Sequence, residues 1–424
     1  MRVAVIGAGI VGVCCAAALR DAGHDAVLLD PGEPGGEQAA SFGNGAWLSP
    51  ASVVPMSMPG LWRRVPGLLA DPLGPLAIRP TALPGLLPWL LRFLHAGATV
   101  ARVEATARAL RPLLADAPAR HATLAETAGV GALIKRRGLL YAYPSQADFT
   151  AEALAWRLRR DNGVTWEELD AASLHAKAPA LSDRYRFGVF LATGGHCTDP
   201  GGYVAALARH AAVRRVRAVG FDIAGGRLRA VRTNGAAVPC DRAVIAAGIG
   251  SAALARACGD RVSLASERGY HAVLRDPEVA PDIPVMPSDG KMANTLTLAG
   301  LRTAGQVELA GPNSPPDWRR ADVLLAHLLR SYDGLLAAPA PERVSRWMGH
   351  RPSTPDGLPV IGPASACADV IYAFGHGHVG LAAAPATARL VAALLDGTPS
   401  ACNLAPYSPR RFRISWSRSP RRTP

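Results

Sequence analysis

Three short apolar runs, each ending in glycine, punctuate this chain far apart in sequence. The first begins at the N-terminus. Residues 2–6 are β-rich, residues 7–12 form a glycine turn, and residues 13–22 have helical composition. Gly23 closes that helix before a second run at 26–30, which predicts a βαβ unit. A second such strand is expected at 243–247, after a helix over 202–212 and a hairpin-like stretch from 216 to 238; it ends in Gly248-Ile249-Gly250-Ser251. The third, 370–374, ends at Gly375 and precedes a helix over 380–395 closed by Gly397.

Between these runs the pattern changes. A proline-rich stretch occupies 50–88, helices are expected within 88–127, and alternating strands lie around 269–274 and 295–310. These segments suggest a second domain inserted in pieces. Its strands at 296–298 and 307–309 read as a half-exposed antiparallel sheet.

The chain has 424 residues, 49% hydrophobic and 19% charged, which predicts a globular protein of two or three folding units. Its formal charge is +13, but Arg410, Arg411, Arg413, Arg418, Arg421 and Arg422 crowd the last fifteen residues. Without them the charge is +7. Of the 46 basic residues only Lys135, Lys177 and Lys291 are lysines, and the arginines are spread along the chain, so no nucleic-acid groove is expected. Seven cysteines, with no CxxC, suggest neither a zinc site nor a disulfide framework. Cys14 and Cys15 read as small core residues. Residues 3–19 carry no charge and superficially resemble a signal-peptide core or a short membrane span, but their glycine comb favours a buried strand and helix.

Gly7-Ala8-Gly9-Ile10-Val11-Gly12 matches G-x-G-x-x-G after a strand and at the opening of a helix, with Asp30 following the second strand. Gly7 permits the turn, Gly9 lets main chain approach a pyrophosphate, and Gly12 lets helix and strand pack closely. Asp30 can accept hydrogen bonds from ribose hydroxyls. The next segment, residues 38–47, is polar and rich in small residues, able to lie close to a flat ring or to serve as a surface loop.

Taken with that turn, Ser41-Phe42-Gly43-Asn44-Gly45-Ala46-Trp47 resembles the D-amino acid dehydrogenase branch of the glycine oxidase and D-amino acid oxidase flavoproteins. Residues 351–363 resemble the superfamily's R-P-x-T-x-D-G-x-P-x-I-G segment, and residues 375–387 its G-H-x-x-x-G-x-x-x-x-P-A-T segment. The resemblance runs from Met1 to about Phe412. It implies an α/β fold: a Rossmann-like FAD-binding domain assembled from 1–50, 196–260 and 345–409, beside an α+β substrate domain with a mixed or antiparallel sheet from 51–195 and 261–344. A basic tail, 410–424, is expected to be disordered. FAD is expected to bind non-covalently, because residues 345–350 hold no cysteine where the sarcosine oxidase branch tethers its flavin. The cofactor contacts expected are Val5, Ile6, Gly7, Ala8, Gly9, Ile10, Val11, Gly12, Asp30, Ser41, Asn44, Gly45, Ala247, Gly248, Gly375, His376, Gly377 and Gly380, with no metal.

For such a flavoprotein the resemblance implies oxidative deamination of a D-amino acid, with hydride passing from Cα to flavin N5 and the resulting imine hydrolysing to a 2-oxo acid and ammonia. Arg351 stands where glycine oxidases carry a substrate-carboxylate arginine, a role suited to the guanidinium fork; pairing with Asp356 is its structural alternative. His378 occupies the place of those enzymes' second arginine, and His376 and His378 both precede a helix whose N-terminus would face the flavin. Tyr270 matches a strand where relatives place a tyrosine over the site, although alternation sends Tyr270 and His271 to opposite faces. Trp47 is a further candidate for the pocket wall. The expected partners are a small amino-acid or amine substrate and a quinone, an electron carrier or oxygen, with no nucleic acid and with possible peripheral membrane contact. The expected location is the cytoplasm or the inner face of the membrane. An oxygen-using oxidase of glycine, sarcosine or a cyclic imino acid such as hydroxyproline is the alternative enzyme. A different class altogether is an inactive nucleotide fold that binds membrane or nucleic acid through its tail.

Overall fold

The computed structural model describes residues 1–71 and 73–413, so most of the expected basic tail lies outside the described residues. A six-stranded sheet runs in the order Ala212–Arg214, Asp25–Leu29, Arg2–Ile6, Arg242–Ile245, Val370–Phe374, Val360–Pro363. All pairs are parallel except the last. Val5 sits between Leu28 and Val244, and all three are fully buried, as expected of parallel strands covered on both faces. Helices Ile10–Asp21 and Gly380–Asp396 pack together on one face through Cys14, Cys15, Ala384 and Ala388. The stretch Gly377–Asp396 is apolar and long enough to cross a bilayer, yet it lies mostly buried inside the protein.

Local chemistry moves some helix boundaries. The first helix starts at Ile10, three residues before the composition suggests, because Ser41 Oγ accepts the Ile10 N–H from across the fold. Pro200–Ala208 starts two residues early because Asp199 caps it, its carboxylate accepting the Gly202 N–H at 2.9 Å, with Pro200 at the first turn. The hairpin-like stretch is a three-stranded antiparallel sheet, Ala218–Ala224, Arg227–Thr233 and Val238–Pro239, turning at Gly225 and Gly226, both at positive φ.

A second sheet of nine strands lies beside the first. Strand Ala265–Leu274, second from one edge, pairs antiparallel with Gly300–Leu309 on one side and with the edge strand Val344–Ser353 on the other. Leu76–Ile78 joins Gly300–Leu309 in parallel, and Val285–Pro287 joins Leu139–Tyr143 likewise, so the sheet is mixed. The half-exposed reading of this sheet needs correction. Every residue of Ala265–Leu274 is buried, as are Glu308 and Leu309, because helix Arg319–Ser331 packs Leu324 against Tyr270 and Met292 on the outer face. At 296–298 the half-exposed alternation holds, with Leu296 and Leu298 exposed and Thr297 buried.

The proline-rich stretch also holds helix Leu61–Ala70, and the helices expected within 88–127 are three: Leu83–Ala96, Val100–Leu114 and Ala117–Thr127. Val103, Ala107 and Leu110 pack against Ala383, Ala386 and Leu390, so this insertion also covers the C-terminal helix. The start of the tail is ordered, contrary to expectation. Arg411 donates to both oxygens of Asp356 and to Leu358 O, and Phe412 is buried.

Candidate active site

A cavity of about 1630 Å³ opens between the two sheets, larger than the roughly 300–1,000 Å³ of a site for one drug-sized ligand. One end is the glycine turn. Gly7 has φ +105°, and a Cβ there would lie 2.7 Å from Ala246 C, while one on Gly12 would lie 2.9 Å from Gly7 C and overlap Gly7 O. Strand, turn and helix can approach this closely only with glycine at both positions. Asp30 accepts the N–H groups of Ala8 and Gly32, one on each carboxylate oxygen, both at 2.8 Å. Each oxygen keeps a lone pair, and the residue lines the cavity, so ribose hydroxyls remain within its capacity.

The small-residue loop forms the middle of the wall and is held by the second sheet. Arg302 Nη1 donates to Phe42 O and Asn44 O at 3.0 and 2.9 Å, Thr295 Oγ1 to Gly45 O at 2.9 Å, and His271 Nδ1 lies 3.2 Å from Gly43 O. Asn44 folds its own side chain onto Ala46 N. A Cβ on Gly43 would overlap the Trp347 ring, which also stacks on His271 with centroids 5.2 Å apart. Burial pulls His271 down to about 3, helped by the charge of Arg302, so its ring is neutral at pH 7. Burial also draws Arg302 down to about 10, leaving it charged.

The far wall comes from two neighbouring strands. Glu267 stands directly opposite Arg351, Gly269 opposite Gly349, and His271 opposite Trp347. Arg351 Nη1 donates to Gln306 O at 2.8 Å and Nη2 to Gly305 O at 3.2 Å, so its fork is aimed by main chain. Glu267 Oε2 accepts from Ser353 Oγ at 2.6 Å and lies 2.8 Å from His378 Nε2. Burial pushes this carboxyl up, but the charge and hydrogen bond of His378, with Ser353 and Arg351, outweigh it, and the net shift is downward. Burial pulls the Arg351 guanidinium down, opposed by the charge of Glu267. The structural alternative for Arg351 is not realised: Asp356 pairs with Arg411.

Most of the expected cofactor residues line one continuous wall: Ile6, Gly7, Gly9, Ile10, Val11, Asp30, Ser41, Asn44, Gly45, Ala247, Gly248, Gly375, His376, Gly377 and Gly380. Val5, Ala8 and Gly12 lie behind that surface. His376 contributes backbone to the wall, while its ring is buried against Thr387 Oγ1 at 2.9 Å and burial pulls it down to about 4. His378 is the histidine that reaches Glu267 across the cavity. Tyr270 does not reach the cavity. Strand alternation turns it to the outer face, where its hydroxyl donates to Glu308 at 2.6 Å and accepts from Asp317 N–H. Trp47 is tied to Thr295 and packs edge-on to Tyr141, behind the lining. Glu267, Tyr141, Tyr143 and Arg159 also line the cavity and were not among the sequence candidates. A carboxylate two positions before Gly269 in an apolar strand was the available signal for Glu267.

The glycine cradle, Asp30 and the loop that approaches with main chain together fit an FAD whose pyrophosphate lies at the turn. Comparison with known proteins agrees. The chain is 51% identical to the D-amino-acid oxidase of Bradyrhizobium diazoefficiens over 97% of its own length and 99% of that protein. It is 31% identical to D-amino acid dehydrogenase 2 of Ralstonia nicotianae over 96% and 99% of the two chains. Its fold matches the crystal structure of glycine oxidase from Geobacillus kaustophilus with a TM-score of 0.70, at 20% identity, covering 97% of this chain and 100% of that one. The pattern of the FAD dependent oxidoreductase family, DAO, matches residues 2–394, and the chain belongs to that family.

Proposed function

We propose that this enzyme oxidatively deaminates a D-amino acid to a 2-oxo acid and ammonia, passing the electrons to an acceptor other than NAD. The observation that carries the reading is the placement of Arg351, its fork aimed by two carbonyls, on the same cavity as the dinucleotide turn. Names of relatives support the substrate class. Bound FAD supplies the two-electron acceptor for the Cα–H bond. Arg351 holds the substrate carboxylate with its remaining N–H groups, and Glu267 keeps that guanidinium charged. His378 lines the same cavity and holds Glu267 from the other side, its Nε2 2.8 Å from that carboxylate. Tyr141, Met286 and Ala293 line the wall and help to exclude water.

Anaerobic addition of D-amino acids should bleach the yellow protein, and a broad D-amino acid panel without bleaching refutes the reading. The flavin is held without a covalent bond on this proposal, since none of the seven cysteines lines the cavity; acid precipitation should release all the colour. Oxygen as acceptor is the second reading, favoured by the name of the 51% identical relative, and stoichiometric hydrogen peroxide during turnover would establish it. The proposed location is the cytoplasm, with contact to the inner membrane face. Supporting it, Leu83, Leu87 and Leu91 form one exposed helix face at the cavity, and Trp62 is also exposed. Co-sedimentation with anionic vesicles, lost on Leu87→Asp, tests that contact.

A further inference from the structure

Helix Ala153–Asp161 carries a buried arginine, Arg159, to the cavity wall. Its guanidinium carbon lies 4.2 Å from the centroid of the Trp156 ring and 5.3 Å from that of Tyr141. These aromatic faces hold the cation by its plane and leave the donor edge free. Of its N–H groups, only Nε has an acceptor among the described residues, Ala51 O at 3.2 Å; Nη1 is buried without one. No carboxylate of the described residues forms an ion pair with it. Glu152, on the same cavity, is already engaged by the Tyr143 hydroxyl at 2.9 Å and by Lys291 at 3.5 Å.

The contrast with Arg351 is informative. Arg351 gives one hydrogen bond from each terminal nitrogen to main chain and stands opposite Glu267. Arg159 is nine-tenths buried with unused donors, an arrangement that is unfavourable until an anion completes it. Planar bidentate capture of a carboxylate is the chemistry this fork performs best.

We propose that Arg159 binds the side-chain carboxylate of the substrate, so that this enzyme selects acidic D-amino acids. The inference rests on the deamination reading, with Arg351 taking the α-carboxylate. Its test is kcat/KM of the holoenzyme for D-aspartate, D-glutamate, D-alanine and D-methionine, repeated with Arg159→Leu, Arg159→Gln and Arg159→Lys. Expected is an acidic-over-neutral ratio of at least tenfold, falling at least tenfold in the Leu and Gln variants, mainly through KM, and partly restored by Lys. A wild-type preference for neutral substrates, a ratio unchanged by substitution, or equal losses on all four substrates would overturn it. A second measurement is independent of turnover and uses succinate against butyrate as probes in a thermal shift assay. Succinate should stabilise the wild type more than butyrate and lose that advantage in Arg159→Gln; equal shifts in both proteins would overturn the proposal. If no D-amino acid of any kind is oxidised but the succinate advantage depends on Arg159, the anion site stands and the deamination reading falls.

Discussion

Replacing Gly269 by alanine tests the carboxylate clamp without removing its charge. Gly269 faces the cavity beneath the guanidinium of Arg351, and a Cβ there would lie 2.6 Å from Nη1 and overlap Cζ and Nη2. A comfortable separation is about 3.5 Å, so the fork must move by roughly 1 Å. Gly269 does not occupy the left-handed region, so the backbone itself accepts alanine. Displacement breaks the aim given by Gln306 O and Gly305 O. A misplacement of about 1 Å can cost about 100-fold, and loss of a hydrogen bond to a charged group costs about 1.5–3 kcal/mol. We therefore expect kcat/KM for a D-amino acid to fall about 30- to 100-fold, with flavin content normal. Arg351→Ala should fall at least as far. The assay is steady-state turnover on protein matched for flavin absorbance. If Gly269→Ala keeps kcat/KM within twofold while Arg351→Ala does not, the guanidinium is not positioned as described; if both are unchanged, Arg351 does not bind substrate.

Gly12→Ala should abolish flavin retention, because the new Cβ would overlap Gly7 O and pry the helix from the strand; the ratio of visible to protein absorbance measures it, and a normal ratio contradicts the cradle. Acid should destabilise the fold well above carboxylate pH. Burial lowers His121 and His376 from 6.5 to about 4, so between pH 6.5 and 4 the unfolded chain takes up protons that the native state refuses. The associated stability is fully present above about pH 6.5 and is lost on descending to about pH 4, about 3 kcal/mol for each ring. Urea midpoints at pH 7.5 and pH 5.0 should differ accordingly, and identical midpoints would show that these histidines are not buried neutral.

The nucleotide-binding half was legible because its chemistry is local. Gly7, Gly9 and Gly12 announce a backbone that must pass close to something, and the strands at 2–6 and 370–374 stand where their apolar runs put them. The substrate half was less legible because its contacts join distant segments. Nothing near Glu267 in sequence says that Arg351 stands across the strand from it, or that His378 bridges back from the next turn. Tyr270 illustrates the ambiguity: alternation separates it from His271, but which of the two faces inward depends on register with Val344–Ser353. In sequence Arg159 is one of three arginines within four residues, and only its packing on Trp156 and Tyr141 distinguishes it.

The central sheet joins strands from opposite ends of the chain, since Val370–Phe374 hydrogen-bonds to Arg242–Ile245, which in turn flanks Arg2–Ile6. At roughly 5–20 residues per second of synthesis, the Val370 strand appears roughly 20–70 s after Met1. For the last roughly 6–25 s of that interval, the time taken to add the 125 residues from 245 to 370, Arg242–Ile245 has an unclaimed edge, and Val244 and Ile245 are fully buried only once it is paired. Folding of this protein on the ribosome is therefore delayed by its own wiring, and nascent chains halted before residue 370 should depend on chaperones and be prone to aggregate.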